Sequence, residues 1–212
     1  EGIQYPKERM KAGVLFSGGK DSSLAALLLS RDYEVELNTF IFHQEDDTAG
    51  VENAARAVGL PWRRRIFDEG FLERVIGMIV SCGYPNEGIQ EVHRTAVELL
   101  CRDYPVVADG TRMDDRIPML TRNEVQSLQD RTGCSYLRPL LGYGKREVDR
   151  LARCHFVIVN GQTGQIENGD YERRIRNGIA AEGLDPRAYF PEVHEQSLVL
   201  SRAVPGTEVK FR

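Results

Sequence analysis

The sequence predicts an α/β protein in which a parallel sheet is covered by helices on both faces. Short apolar runs alternate with helical segments from residue 12 to about residue 155. The runs are continuously apolar rather than alternating, which is typical of strands that are buried on both faces. Parallel strands need crossover connections, and the intervening helices supply them. With 212 residues, the chain is long enough for one such domain and a small appendage.

Five apolar runs predict the strands. The first, residues 12–16, leads through a glycine turn into a helix with a leucine stripe at Leu24, Leu27 and Leu28. This strand therefore ends directly at the glycine turn. The other strands are predicted over residues 35–42, 62–67, 105–109 and 135–141.

Helices are predicted where apolar residues recur every three or four positions. Gly59 followed by Pro61 ends the second helix, because glycine closes a helix and proline does not continue it. The segment 83–86 contains glycine and proline and separates the next two helices in the same way. Beyond the first helix, the predicted helices cover residues 49–58, 71–81, 89–104, 123–130, 145–153 and 171–181.

Composition excludes several functional classes. The chain has 28 Lys and Arg against 32 Asp and Glu, so its formal charge of −4 gives no overall attraction to nucleic acid or to anionic membranes. The longest apolar run, residues 24–29, is far shorter than the ~20 residues of a membrane span. The opening residues contain no basic segment followed by an apolar stretch. We therefore expect a cytoplasmic protein that does not contact a membrane.

The cysteines lie far apart and form no Cys-x-x-Cys pair, which predicts neither a zinc ribbon nor a disulfide framework. Each is predicted to be a small buried hydrophobe. A single catalytic thiol stays open as an alternative, because an enzyme that carries sulfur needs only one. The four are Cys82, Cys101, Cys134 and Cys154.

The glycine turn after the first strand is the most informative segment, and it reads Ser17-Gly18-Gly19-Lys20-Asp21-Ser22. Glycines allow the backbone to turn and to approach a ligand, and the start of a helix offers free N–H groups with a partial positive charge. This combination binds phosphate oxygens, to which the ammonium of Lys20 and the serine hydroxyls add contacts. A carboxylate beside phosphates implies a divalent cation between them, so Asp21 predicts magnesium.

The turn matches neither of two common phosphate-binding patterns. Gly19 stands where a Walker A loop needs lysine, Asp21 follows Lys20, and the third glycine of the dinucleotide fingerprint is absent. An ordinary glycine turn in which Asp21 is the helix N-cap is the alternative.

The hexapeptide resembles the PP-loop of the N-type ATP pyrophosphatases, also called the adenine nucleotide alpha hydrolase superfamily, near its tRNA-modifying and sulfur-transfer synthetases. Members cleave ATP between the α and β phosphates, adenylate a substrate oxygen and release pyrophosphate, and a nitrogen or sulfur nucleophile often displaces AMP. The resemblance covers residues 12 to about 155 and implies a Rossmann-like three-layer sandwich with a five-stranded parallel sheet. It implies ATP and Mg²⁺ as cofactors, Lys20 and Asp21 as catalytic residues, and residues 17–22 as the phosphate-binding loop.

A second segment, residues 109–115, follows the fourth strand and is similar to the Gly-Thr and acidic element that related synthetases place across the nucleotide site. Gly110 and Thr111 can approach phosphate, and Arg112 can neutralise developing charge as a further catalytic residue. A solvated turn of charged residues is the alternative. The predicted metal ligands are Asp21, Asp114 and Asp115.

Three more residues are candidates for ATP contacts. Lys145 follows a segment that resembles the late strand and helix start of tRNA-modifying members, and a cation at a helix start favours a phosphate partner. A solvent-facing lysine is the alternative. Phe42 or His43, at the end of the second strand, would line the adenine pocket, where family members hold adenine by backbone groups. His43 is equally well a partly buried histidine.

The PP-loop domain is predicted over residues 1–160, and residues 161–212 are predicted to form a small C-terminal extension of unknown role. Arg173, Arg174 and Arg176 in this extension are enough for a local phosphate-binding face. Pairing of Arg176 with Glu172 within one helix is the alternative.

These observations predict an enzyme that adenylates an acceptor and releases pyrophosphate. A tRNA base or another sulfur- or nitrogen-transfer substrate is the leading acceptor, and a small molecule in an amide-forming synthetase is next. A non-catalytic module that binds adenine nucleotides is an alternative from another class. The chain is further expected to be a homo-oligomer or a subunit whose acceptor site is completed by a partner.

Overall fold

Five parallel strands form the central sheet of the computed structural model, which describes residues 8–204. The strands are β1 (Lys11–Leu15), β2 (Glu34–Ile41), β3 (Trp62–Ile66), β4 (Val106–Ala108) and β5 (Ser135–Leu137). They lie in the order β3-β2-β1-β4-β5, which confirms the predicted sheet. Residues 1–7, on which the expectation about the opening segment rests, and residues 205–212 of the predicted extension lie outside the described residues.

Helices cover both faces of this sheet, so the fold is the predicted three-layer sandwich. The helices are α1 (Lys20–Leu29), α2 (Ala49–Val58), α3 (Phe71–Cys82), α4 (Asn86–Leu100), α5 (Arg122–Thr132), α6 (Lys145–His155) and α7 (Tyr171–Ala181). One hydrophobic cluster joins the sheet to α3, α4, α5 and α7. A second cluster joins it to α1 and α2, and α6 packs against α1. Within residues 8–204, no helix is both long and apolar enough to cross a membrane.

The central strand β1 shows why the apolar runs predict the strands. Every residue from Ala12 to Leu15 is buried, because β1 pairs with β2 and β4 and carries helices on both faces. Burial of all four residues removes the alternation of polar and apolar residues that a strand with one solvated face would show.

Most predicted elements are present, with small differences at their ends. Helix α4 begins at Asn86, before the predicted residue 89, because Pro85 fits the position that precedes the first helical turn, where no N–H bond is needed. Strand β5 ends at Leu137, before the predicted residue 141, because Pro139 has no N–H to donate to a neighbouring strand.

The C-terminal part contains a small antiparallel sheet that the sequence analysis does not predict. It pairs β6 (Phe156–Gln162) with β7 (Glu195–Arg202). The buried Leu198 and Val199 of β7 pack against α2, and the buried Ile175 and Ile179 of α7 join the cluster of α3 and α4. The predicted boundary at residue 160 falls inside β6, and the division into two domains stays a prediction.

The contact between α2 and the C-terminal part gives a test of this packing. A Cβ atom on Gly50 would lie 2.1 Å from the carbonyl oxygen of Glu167, so Gly50→Ala is expected to destabilise the protein by about 1–3 kcal/mol. Gly77, inside α3, has no atom within 4 Å of its would-be Cβ, so Gly77→Ala is expected to add about 0.5–1 kcal/mol. Urea unfolding measures both changes. Equal effects of the two substitutions would contradict the close approach of Glu167.

Candidate functional site

A cavity of about 210 Å³, which we call the central cavity, lies at the carboxyl ends of β1 and β4. The strand order reverses direction between these two strands, and ligands of open α/β sheets bind at such points. Six of the predicted site residues line this cavity: Ser17, Asp21, Ser22, Gly110, Thr111 and Asp115. Its apolar wall consists of Leu15, Phe16, Phe40, Ile89, Pro118 and Tyr171.

The glycine turn joins β1 to α1 as the sequence predicts. Gly18 has a φ of 77°, in the left-handed region that favours glycine, and Gly19 is the N-cap of α1. Asp21 lies inside the first turn, so the alternative that Asp21 caps the helix is wrong. The hydroxyl of Ser22 accepts a bond from Ser17 N (3.3 Å) and donates to Gly19 O (3.2 Å), which holds the turn closed.

The backbone of Gly110 packs directly on the start of α1. A Cβ atom at this position would lie 2.7 Å from both Asp21 C and Ser22 N, so the contact requires glycine. The turn that carries Gly110 is fixed by the preceding Asp109, whose Oδ1 accepts the N–H of Thr111 at 2.9 Å. The two segments that the sequence predicts to contact phosphate are therefore in direct contact with each other.

Asp109 is the centre of a buried polar cluster. Its Oδ2 lies 2.8 Å from His93 Nε2 and accepts the hydroxyl of Tyr136. Burial acts to raise the pKa of Asp109, but His93, Tyr136 and the N–H of Thr111 outweigh burial and lower the pKa below its usual value. Asp109 and Thr111 are 2% and 6% exposed, so the alternative of a solvated turn is wrong for these two residues.

Arg112 is surrounded by the three carboxylates that were predicted to bind metal. Its Nε lies 3.1 Å from Asp115 Oδ1 and 3.8 Å from both Asp21 Oδ2 and Asp114 Oδ1. Burial acts to lower the pKa of Arg112, but these carboxylates outweigh it and raise the pKa. Its Nη1 is buried and has no hydrogen-bond partner. The guanidinium is therefore held in place, while its Nη1 nitrogen has no hydrogen-bond acceptor in the described part of the chain.

Lys20 is held between carboxylates from two helices. Its Nζ lies 3.1 Å from Asp21 Oδ1 and 3.3 Å from Asp149 Oδ1, on α6. The side chain of Lys20 is 13% exposed, so the ammonium is fixed beside the glycine turn. The sequence analysis does not predict Asp149.

The carboxylates predicted to bind metal differ in their hydrogen-bond and ion-pair partners. Asp21 Oδ1 is buried, makes no hydrogen bond and contacts the ammonium of Lys20. Asp114 instead accepts the backbone N–H of Lys145 at 2.9 Å, which lowers the pKa of Asp114, and it does not line the central cavity. Across residues 8–204, no three His, Cys, Asp or Glu side chains converge to form a metal site by themselves. Mg²⁺ usually takes one or two carboxylates together with substrate phosphates, and Asp21 with Asp115 fits that arrangement.

The remaining predicted ATP contacts lie outside the central cavity. The backbone N–H groups of Phe42 and His43 both donate to Asp46 Oδ2, at 3.0 and 3.1 Å, so the donors at the end of β2 are already engaged. Lys145 begins α6, is 54% exposed, and has its Nζ 3.4 Å from Glu195 Oε2. Their roles in binding ATP stay predictions.

The segment at residues 168–171, which we call the strap, crosses the carboxyl edge of the sheet and ends at the first residue of α7. The N–H of Gly169 donates to Ser17 O at 2.8 Å, and a Cβ on Gly169 would lie 3.0 Å from Thr39 Cγ2. On the far side of the strap lies a cavity of about 360 Å³, which we call the lateral cavity. The strap therefore divides the cleft in two.

Strand β7 covers the outer side of the glycine turn. The N–H of Lys20 donates to Ser197 Oγ at 3.1 Å, and the N–H of Val199 donates to Gly18 O at 3.0 Å. Gly18 and Gly19 therefore lie under β7, while Ser17, Asp21 and Ser22 face the central cavity.

A family comparison matches nearly the whole described chain. The profile of DUF7411, a family of unknown function, matches residues 10–201. The chain belongs to this family. The uncharacterized protein MJ0690 of Methanocaldococcus jannaschii is 38% identical over 192 residues, which cover 90% of this chain and 96% of that protein.

Solved structures give two further similarities for this DUF7411 chain. A crystal structure described as a predicted subunit of tRNA methyltransferase, from Methanocaldococcus jannaschii, has a TM-score of 0.83 and 37% identity, covering 92% of this chain and 98% of that one. The U34-tRNA thiolase NcsA from Methanococcus maripaludis is far more distant, with a TM-score of 0.47 and 16% identity over 69% of this chain and 56% of that one. The sheet order of the DUF7411 chain and the place of the glycine turn between β1 and α1 are those that the resemblance of the hexapeptide to the PP-loop implies.

The arginines of α7 are mostly engaged within the DUF7411 chain. Arg176 pairs with Glu172 at i, i+4, as the alternative proposes, and Arg174 pairs with Asp46. Burial acts to raise the pKa of Glu172, but His194 and Arg176 outweigh burial and lower it. Arg173 lines the lateral cavity.

Asp170, in the strap, is a site residue that the sequence analysis misses. It lines both cavities, and its Oδ2 accepts the amide of Gln196 at 2.9 Å. Burial, with the negative charge of Glu172, raises the pKa of Asp170 to about 6. No local signal marks Asp170, because Gln196 and the contacts of the strap with Ser17 are distant in sequence.

His93 and the cysteines also bear on the predicted site. The sequence analysis misses His93, although the buried face of α4, which includes Val92, Ala96 and Val97, places a histidine at a core position. Cys101 and Cys134 are buried as expected, whereas Cys154 is exposed and Cys82 is partly exposed. Neither cavity is lined by any of these four cysteines.

The raised pKa of Asp170 predicts a pH-dependent stability. In the unfolded chain an aspartate titrates near ~3.9, against about 6 in the folded protein. As pH rises through this window, the unfolded state releases the proton first, so the parent loses stability relative to Asp170→Asn. The variant is expected to be more stable by about 2–3 kcal/mol at pH 7.5 and by only about 1 kcal/mol at pH 4.5. Urea unfolding at both values measures this, and a pH-independent difference would contradict the shift.

Proposed function

We propose that this chain is an ATP pyrophosphatase, which binds ATP in the central cavity, transfers AMP to an acceptor and releases pyrophosphate. The β and γ phosphates bind the cavity side of the glycine turn, where the N–H groups of Asp21 and Ser22, the ammonium of Lys20 and the hydroxyl of Ser17 supply donors. The α phosphate is left open to the acceptor.

The unpartnered Nη1 of Arg112 is the observation that carries this proposal. A buried donor without a partner costs about 1–3 kcal/mol, so its position favours a ligand that supplies an acceptor. Three carboxylates hold this guanidinium beside the glycine turn. An oxygen of a phosphate on that turn is the acceptor that suits a guanidinium best.

The residues of the site act by positioning and by electrostatics. The acceptor oxygen attacks the α phosphorus, the bond to the bridging oxygen breaks, and pyrophosphate leaves with the electron pair. Negative charge grows on the leaving group, where Lys20, Arg112 and the N-terminus of α1 stabilise it. Asp149 and Asp115 keep the two cations in place during the step.

Asp21 and Asp115 are the residues that would hold Mg²⁺. The buried Oδ1 of Asp21 has a lone pair that no hydrogen bond uses, and both carboxylates face the central cavity. Bound there, the metal would offset phosphate charge beside two carboxylates. Asp114 is left out of this set, because it binds the N-terminus of α6.

The adenine ring has an apolar place in the central cavity. Phe40, Ile89 and Tyr171 of the strap are parts of its apolar wall. Because Asp46 engages the N–H groups of Phe42 and His43, we place the ring in this cavity rather than at the tip of β2.

Pyrophosphate–ATP exchange tests the proposal. Lys20→Gln and Arg112→Gln each remove one charged contact to the phosphates, so each is expected to lower the exchange rate by on the order of 10²–10³-fold. Arg64→Gln, at an exposed position on the edge strand β3, is the control and is expected to leave the rate unchanged. Exchange is screened against total tRNA and a metabolite pool, which also identifies the acceptor class. Full exchange activity in either site variant would contradict the assigned roles.

A second candidate is a nucleotide-binding subunit of a larger assembly. The description of the Methanocaldococcus jannaschii structure as a predicted subunit of tRNA methyltransferase favours it, and it also supports tRNA as the acceptor class. Two results together would favour this candidate over an enzyme that acts alone. The chain would bind ATP without catalysing pyrophosphate–ATP exchange, and it would always be isolated from its source together with the same partner.

A further inference from the structure

Asp170 stands at the junction between the two cavities. The strap carries it across the edge of the sheet, where the bond from Gly169 to Ser17 O fixes the backbone beside the glycine turn. The carboxylate lines the central cavity on one side and the lateral cavity on the other. A molecule bound in either cavity can therefore contact the carboxyl group of Asp170.

Asp170 differs from the other carboxylates of the central cavity in its partners. Within residues 8–204, its hydrogen-bond partners are amides: Gln196 Nε2 donates to its Oδ2 at 2.9 Å, and its own N–H donates to Asn168 Oδ1 at 3.4 Å. The other three carboxylates of this cavity each contact a basic side chain: Asp21 with Lys20, Asp109 with His93, and Asp115 with Arg112. Asp170 is thus the carboxylate of this cavity that is free of an ion pair.

We propose that Asp170 is the acid–base residue of the site and that the lateral cavity admits the nucleophile, an inference that rests on the proposed function. A nitrogen, sulfur or oxygen nucleophile that carries a proton forms a bond to the acceptor carbon that bears the adenylated oxygen. The bond from that carbon to the adenylated oxygen breaks, and AMP leaves with this oxygen and the electron pair. The proton of the nucleophile passes to Asp170, so no oxidant or reductant is needed.

The surroundings of Asp170 suit proton transfer near neutral pH. Burial and the charge of Glu172 raise its pKa to about 6, while His194 and Arg173 act to lower it. A group with a pKa near the working pH can both accept and return a proton. The other titratable side chains that face Asp170 lie in the two cavities. They are Tyr171 of the strap, then Asp21, His93, Asp109 and Asp115 across the central cavity, and Glu45, Asp46, Asp47, Arg173 and Arg174 around the lateral cavity.

The first experiment measures proton uptake when α,β-methylene-ATP with Mg²⁺ binds to the full chain. Titration calorimetry between pH 5.5 and 7.5, in buffers of different ionisation enthalpy, gives the protons taken up. Anionic phosphates beside Asp170 raise its pKa further, so the parent is expected to take up protons and to bind more weakly as pH rises. Asp170→Asn, which keeps an oxygen for Gln196, is expected to lose that part of the uptake.

Glu167→Gln is the matched control, because Glu167 is an exposed acid just before the strap and lines neither the central nor the lateral cavity. It is expected to behave as the parent does. Equal uptake by the parent and Asp170→Asn would overturn the inference and leave the proposed function standing. Failure of the parent to bind the nucleotide would overturn the proposed function, and the inference with it.

The second experiment measures AMP formation from ATP and Mg²⁺, with total tRNA as acceptor and ammonium or sulfide as nucleophile. Asp170→Asn is expected to lower the rate by on the order of 10²–10⁴-fold and to remove the limb of the pH–rate profile near pH 6. The control variant keeps both. An unchanged rate and profile in Asp170→Asn would show that Asp170 moves no proton. If the parent forms no AMP, the binding experiment alone decides the inference.

Discussion

The order of the strands in the sheet reverses between the parallel strands β1 and β4, and the rest of the structure depends on this point. The helix after β1 lies on one face of the sheet, whereas the helices that lead into β4 lie on the other, so the chain leaves a crevice between the two carboxyl ends. Gly110 closes that crevice onto the start of α1, where a side chain would meet the backbone at 2.7 Å. The glycine turn and the Gly110 turn are therefore one unit, and the charged side chains are arranged around it.

The C-terminal part completes this unit. The strap forms a hydrogen bond to Ser17, and β7 forms hydrogen bonds to Gly18 and Lys20. Helix α7 packs on the face of the sheet that carries α3 and α4. The turn after β1 and the strap thus form walls of the central cavity together. Because the interior has a low effective dielectric constant, unpaired charges there are costly. Contacts with Lys20, His93 and Arg112 offset that cost for the other three carboxylates of the cavity. Among the described residues Asp170 has no such contact, and its raised pKa favours the neutral form.

Local sequence signals account for the parts of the site that could be predicted. Glycines, serines and one aspartate stand together in the turn after β1, and Gly110 and Thr111 follow β4 directly, so each group is visible within one segment. The partners of these residues could not be predicted, because Asp149 and Ser197 come close only through packing of α6 and β7. The backbone donors at the end of β2 are a different case: their partner, the carboxylate of Asp46, is close in sequence, and the conformation of the following loop brings it to them.

A crystal structure with α,β-methylene-ATP and Mg²⁺ tests the central claim most directly, since it locates the phosphates. The account predicts that the outer two phosphates lie on the cavity side of the turn, at residues 20–22, and that a phosphate oxygen accepts a hydrogen bond from the unpartnered Nη1 of Arg112. Phosphates bound in the lateral cavity or elsewhere, with that Nη1 still unpaired, would contradict it.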